Sequence, residues 1–198
     1  NQDALDMVKL HEGFTYVNLP RMAGGACHIS DSMVYVNNRV TPLKFQAYCG
    51  MLGSLACGKN LMLCPEQELE EIRSYVELYK KLRPVVHSGC LYRLASAFEH
   101  PYAIYEYVSQ DRSEAVIFVL GTFIQFTQKI PPFLVPGLDP EAVYEVECYG
   151  NVVHGNGYSA SVAEYRPISG RGAAQSGLQV ELTGDYDCRI LHLRRRDR

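Results

Sequence analysis

The feature that most constrains this chain is a change of hydrophobic period at Pro84. Before it, Leu69, Ile72, Val76, Tyr79 and Leu82 recur at steps of three or four. That is one apolar stripe on a helix, with Glu70, Glu71, Glu77 and Lys81 on the wet face. Pro65 suits a first helical position, and Glu66, Gln67, Glu68 and Glu70 meet the positive end of the dipole. Lys80, Lys81 and Arg83 sit at the other end, and Pro84 is expected to stop the helix at Arg83. Beyond Pro84 the apolar residues alternate to the C-terminus. Two architectures are therefore expected, with the boundary between residues 83 and 84.

The N-terminal part reads as alternating helices and strands. Residues 3–12 form a short helix ended by Gly13. Ala26-Cys27-His28-Ile29-Ser30 is a small-residue apolar run that fits a buried parallel strand. Residues 42–52 make a second helix, and Leu61-Met62-Leu63 a second short strand before the long helix. Helix, strand, helix, strand, helix is the order of a parallel α/β unit. Two strands cannot close such a sheet, so the remainder is expected elsewhere. The chain opens at Asn1 without an initiator Met, which also leads us to expect a piece of a longer protein.

The C-terminal part reads as antiparallel β. Residues 102–108 and 115–120 flank a hairpin loop, Ser109-Gln110-Asp111-Arg112-Ser113, with an extension of the second strand over 123–126. Strands are expected at 143–148, 179–182 and 188–193. Residues 150–177 hold six glycines and are expected to be a long loop with one short strand. Each sheet would bury one face against the other, as in a sandwich.

Charge and cysteine usage bound the function. A net charge of -3 gives no reason to expect nucleic acid, and the arginines at 194–196 and 198 read as a solvated tail. No apolar run reaches membrane length and no signal peptide opens the chain, so no membrane partner is expected. The seven cysteines include no C-x-x-C pair, so metal ligation has no spacing to rest on. Free thiols used as small core residues favour a reducing, cytoplasmic setting.

No nucleophile elbow or phosphate loop is present. Gly170-Arg171-Gly172 reads as a turn. His28 lies in the first strand, where a hydrogen-bonded core histidine competes with a catalytic one. Asp31 falls where that strand ends, which in an α/β barrel is the end that faces substrate. An exposed loop carboxylate is its bland alternative. Lys59 and Asn60 are less firmly placed. Physical reading of the residues stops at an α/β piece followed by a β-sandwich.

A resemblance extends this. Tyr79-Lys80-Lys81-Leu82-Arg83-Pro84, Gly89-Cys90-Leu91-Tyr92-Arg93-Leu94 and Ser96-Ala97-Phe98-Glu99 resemble the C-terminal part of the family-36 α-galactosidases. So do His28-Ile29-Ser30, Arg39-Val40-Thr41-Pro42-Leu43 and Gly53 upstream. Val108 to Ala115, Gly137-Leu138-Asp139-Pro140, Ser169-Gly170, Gly177-Leu178 and Asp185 to Arg189 continue the likeness downstream. The resemblance implies that residues 1–83 are the last two β/α units of a (β/α)8 barrel, a TIM barrel, and that 84–198 are an antiparallel β-sandwich. It implies a retaining glycosidase of terminal α-galactosides, with both catalytic carboxylates upstream of this chain and no cofactor or metal. His28 and Asp31 would line the substrate site. The missing barrel segment and a sugar substrate are the expected partners, with a homo-oligomer as a further possibility. Met33-Val34-Tyr35-Val36 stands where the family has Pro-Asn-His-Gln, Gly58 and Asn60 where it has Glu and Asp, and Ala173-Ala174 where it has Leu-Met. The alternatives are a relative acting on α-N-acetylgalactosaminides, or a non-catalytic sugar-binding or structural module.

Overall fold

The fold was obtained as a computed structural model, which describes residues 3–125, 129–150 and 166–196. The N-terminal part follows the expected alternation: α1 (Ala4–Phe14), β1 (Gly24–Ile29), α2 (Leu43–Met51), β2 (Ser54–Cys57) and α3 (Glu66–Ser88). Asp3 caps α1, its carboxylate accepting the Leu5 N–H at 3.1 Å. β1 and β2 pair in parallel, with His28 opposite Ala56 and Ile29 opposite Cys57.

Two expectations change here. Leu61-Met62-Leu63 is not a strand but a 3-10 turn, capped by Asn60 and exposed to solvent. A three-residue apolar run has no periodicity of its own, and the strand is the preceding Ser54–Cys57. Nor does α3 end at Arg83: it runs through Pro84 to Ser88, so the 83/84 boundary falls inside the helix. The backbone bond that Pro84 removes is one among many, and continuing the helix buries Val85 and Val86. The expected stripe is otherwise present: Ile72, Tyr79 and Leu82 are buried, Leu69 and Val76 half-buried, and Glu70, Glu71, Glu77 and Lys81 exposed.

The C-terminal part consists of β3 (Cys90–Ala95), β4 (Tyr102–Val108), β5 (Glu114–Gly121), β6 (Val143–Tyr149), β7 (Ile168–Ser169), α4 (Gly170–Gln175) and β8 (Cys188–Arg195). Among the described residues these strands form a single six-stranded sheet in the order β3-β4-β5-β8-β6-β7, every pairing antiparallel. This corrects the expected β-sandwich: among the described residues, no second sheet faces the first. One face packs on the helices, where Val8, Phe45, Tyr48, Leu82 and Val86 meet Tyr105, Tyr107, Phe118 and Ile190 in one core. The other face packs on α4 and irregular chain, where Ile104, Ile117 and Leu191 meet Ala173 of α4 and Val135, Leu138 and Val180. Alternation along β4 fits both coverings, with Ala103, Tyr105 and Tyr107 toward the helices and Ile104 and Val108 away from them.

Smaller corrections follow from the same packing. Residues 179–182 form no strand, and β5 ends at Gly121. Gly170-Arg171-Gly172 opens α4 rather than making a turn, because the Ser169 hydroxyl accepts the Gly172 N–H at 3.0 Å. Most of the glycine-rich loop lies outside the described residues.

Glu12, Lys44 and Lys81 are among the residues that tie the helical part to the sheet. Glu12, at the end of α1, accepts from Tyr105 Oη at 2.8 Å, Ser96 Oγ at 2.6 Å and the Ala97 N–H at 2.8 Å. Lys44 of α2 reaches Asp187 at 3.0 Å, and Lys81 of α3 reaches Glu147 at 2.7 Å. Burial alone would push Asp187 up, but Arg189, the Thr183 amide and Lys44 hold it down at about 2.

Candidate functional site

In parallel α/β units, ligands bind outside the carboxyl ends of the strands. Here those ends carry His28, Asp31 and Lys59. The ends of β1 and β2 are held together beyond their last residues, since the Gly58 N–H donates to Ile29 O at 2.8 Å. Buried Gln46 of α2 fixes the exit of β1: its Oε1 accepts the Ser30 N–H at 2.9 Å and its Nε2 donates to the Thr41 side chain at 3.2 Å.

The two residues singled out from sequence, His28 and Asp31, have different surroundings. Asp31 is exposed, and one carboxylate oxygen lies 3.6 Å from Lys59 Nζ. Lys59 in turn lies 2.6 Å from Glu68 at the start of α3. Glu68 holds the Lys59 ammonium above its usual range. Lys59 therefore bridges the loop after β1 and the first turn of α3. Its side chain is only 15% exposed, so the bridge is more than a loose surface pair.

His28 is half-buried, and burial pushes its imidazole below the ordinary value. It lines a cavity of about 440 Å³ together with Asp3, Asp6, Val34, Tyr35, Val36 and Asn37, whereas Asp31 does not. The cavity wall is braced by Arg39, which is paired with Asp3 and lies 3.1 Å from Asp6. Asn37 Nδ2 donates to Asp3 at 2.6 Å. Sequence reasoning missed this brace, because its partners are more than thirty residues apart.

Gly58 is required by close approach. A Cβ there would stand 2.6 Å from His28 Cδ2, so the absent side chain is what admits the imidazole. Gly58→Ala is expected to displace the ring and cost about 1 kcal/mol. A shifted His28 ring resonance with a small loss in urea midpoint would bear this out, and an unmoved resonance would contradict it.

Among the described residues, no cluster of three or more His, Cys, Asp or Glu is arranged to hold a metal ion. No helix of the described residues is long and apolar enough to cross a membrane. Cys49, Cys57, Cys64, Cys90, Cys148 and Cys188 are free thiols.

Residues 102–193, spanning β4 to β8, match the model of the glycosyl hydrolase family 36 C-terminal domain. The chain belongs to glycoside hydrolase family 36 and corresponds to the C-terminal portion of its α-galactosidases.

Particular relatives sharpen this. α-Galactosidase AgaA of Geobacillus stearothermophilus is 31% identical over 150 residues, 76% of this chain and 20% of that protein. Probable α-galactosidase C of Aspergillus terreus is 28% identical over 194 residues, covering 98% of this chain and 23% of its own length. The crystal structure of α-galactosidase AgaB from G. stearothermophilus superposes with a TM-score of 0.83 at 26% identity, over 99% of this chain and 25% of that one. The AgaA crystal structure gives 0.84 at 25% identity, with the same coverage. The chain thus spans a quarter or less of the length of these relatives.

Proposed function

We propose that this chain is the C-terminal part of a longer, cytoplasmic glycoside hydrolase that removes terminal α-galactosyl groups. In this reading the chain through the end of α3 at Ser88 supplies the last two β/α units of a (β/α)8 barrel, and the chain from β3 onward is the C-terminal domain. The observation that carries it is the superposition of 99% of the chain on 25% of an α-galactosidase. The parallel β1–β2 pair supports it too, since two strands with helices beside them leave edges for further strands to cover. The free thiols support a reducing compartment.

Retaining hydrolysis takes two carboxylates about 5 Å apart, one as nucleophile and one as acid/base. At the strand ends described here, Asp31 and Glu68 both flank the Lys59 ammonium. Both are engaged by that one ammonium, so the catalytic pair is assigned to the barrel segment before these strands, and His28 and Asp31 to the wall of the substrate site. Relatives of known structure have been seen with raffinose and stachyose bound, which makes galactosyl oligosaccharides the reference substrates.

The test is direct. The longer protein is expected to release nitrophenol from a nitrophenyl α-galactoside, and the 198-residue chain alone to release none. Turnover by the short chain would overturn the assignment of the carboxylates. Inertness of the longer protein would favour a non-catalytic sugar-binding module, or, if a nitrophenyl α-N-acetylgalactosaminide is cleaved instead, the related specificity.

A further inference from the structure

The cavity at the exit of β1 is bounded by a hairpin whose shape is fixed by its own bonds. Between Ser32 and Thr41 the chain folds back on itself. The Thr41 N–H donates to Ser32 O at 2.9 Å, the Val34 N–H to Arg39 O at 2.8 Å and the Asn38 N–H to Val34 O at 2.8 Å. Met33 and Val40 form an antiparallel bridge across it. Asn38 makes the turn at a φ of 56°, which asparagine adopts more readily than most residues. Gln46 holds the base, where its Nε2 donates to the Asp31 and Thr41 carbonyls, each at 3.3 Å.

The tip is held by other means. Residues 34–37 at the tip and Asp3 and Asp6 of the first turn of α1 meet in the wall of the cavity, so the seat of the tip on α1 sets its shape. Two side chains make that seat. Asn37 Nδ2 donates to Asp3 at 2.6 Å, while Arg39 pairs with Asp3 and reaches Asp6 at 3.1 Å. The Asp3 side chain is 4% exposed and that of Asp6 59% exposed, so Arg39 joins a buried carboxylate to one at the surface. Arg39 does not itself line the cavity and acts on it through residues that do. A planar guanidinium can span two carboxylates, which a single ammonium cannot do in the same way.

We propose that Arg39 is a positioning residue for glycoside cleavage: by spanning Asp3 and Asp6 it holds the hairpin tip, Tyr35 to Asn37, where that wall grips the sugar. The proposal rests on the α-galactosidase reading, which makes this cavity part of the substrate site. A wall that holds substrate alike before and during bond cleavage contributes to KM and not to kcat. A tie that serves the fold alone does the reverse, because its loss leaves fewer active molecules of unchanged affinity.

Steady-state kinetics of the longer protein on a nitrophenyl α-galactoside separate the two. Arg39→Lys leaves buried Asp3 with a cation but gives up the span to Asp6. It is expected to raise KM about fivefold with kcat unchanged, the worth of one partly exposed ion pair. Asp6→Asn cuts the same bond from the other side and should raise KM by a similar factor. Asp6 is mostly exposed, so this second variant reads the bond even where the first folds poorly. Two changes that cut one bond do not add, so the double variant should be no worse than either single one. A lower kcat at unchanged KM would make Arg39 a structural tie and overturn the proposal. Factors that multiply in the double variant would overturn it too, because Asp6 would then meet substrate independently of Arg39. Unchanged kinetics in both variants would refute the positioning role and leave the α-galactosidase reading intact. If the unmutated longer protein cleaves no α-galactoside, that reading fails and the proposal falls with it.

Discussion

Replacing Glu12 by alanine is expected to lower the unfolding free energy by about 4 kcal/mol, because it strands several buried donors at once. Glu12 is wholly buried at the end of α1. Its carboxylate serves Tyr105, Ser96 and the Ala97 amide, and Tyr16 Oη as a fourth donor at 3.1 Å. Hydrogen bonds to a charged group are worth more than neutral ones, and each donor left buried without an acceptor adds its own penalty. Glu12→Gln should cost about half as much, since the amide keeps one acceptor oxygen. Equal losses for the two variants would mean that the charge, not the geometry, carries the tie. The pH dependence follows from the same bonds. Burial works to raise the carboxyl, but Ser96, Ala97, Tyr105 and Tyr16 outweigh it and hold it below its usual value. A depressed folded-state value means the stabilisation is complete above the unfolded-state value and is lost as pH falls through the lowered one. Urea unfolding between pH 3 and 7 should show this loss in the parent chain and not in Glu12→Ala.

Glu106 is expected to act with the opposite sign. It sits on β4, wholly buried, on the sheet face away from the helices. Its Oε2 accepts the Gly137 N–H at 3.3 Å, while Oε1 has no partner. Gly137 is what makes room for it, since a Cβ there would lie 2.7 Å from Oε1. Burial pushes the carboxyl up to about 7, only partly opposed by the Gly137 amide. A raised folded-state value means the ionised form is penalised in the fold. Stability is therefore unaffected below the unfolded-state value near 4.5, falls as pH rises toward 7, and levels off above it. A rise of this size corresponds to roughly 3 kcal/mol. Glu106→Gln, which stays neutral, should be more stable than the parent by about that amount at pH 8 and similar to it at pH 4.5. Urea midpoints for both proteins across this range measure the effect. A constant difference across the range would place the cost in packing and not in ionisation.

These two carboxylates mark the limit of the sequence. Local signals were legible: the period-3.6 stripe of α3, the hairpin of β4 and β5, and the small-residue run of β1 depend on residues a few positions apart. Such patterns survive without knowledge of the fold, because backbone geometry alone sets their spacing. The motif runs from His28 to Asp187 likewise carried the family. Alternation could state that the strands hide their faces, but not what hides them. The second sheet it suggested is replaced by helices on one face and by residues 130–138 and 173–180 on the other. Pro84 read as a stop because its cost is local, while the burial of Val85 and Val86 that outweighs it is tertiary. Leu61 to Leu63 read as a strand because a short apolar run fits either structure, and only the finished fold leaves it on the surface.

The sequence by itself determined the elements that repeat with a fixed period and the family to which they belong. Tertiary structure alone decided which groups lose water. Glu12 meets donors 84, 85 and 93 residues away, and Lys44 meets Asp187 across 143 residues. The donors that hold Glu12 down are, Tyr16 apart, remote in sequence, and Glu106 has its one donor, the Gly137 amide, 31 residues away. Desolvation and the donors that offset it depend on the packed surroundings, and these exist only once the helices have closed on the sheet.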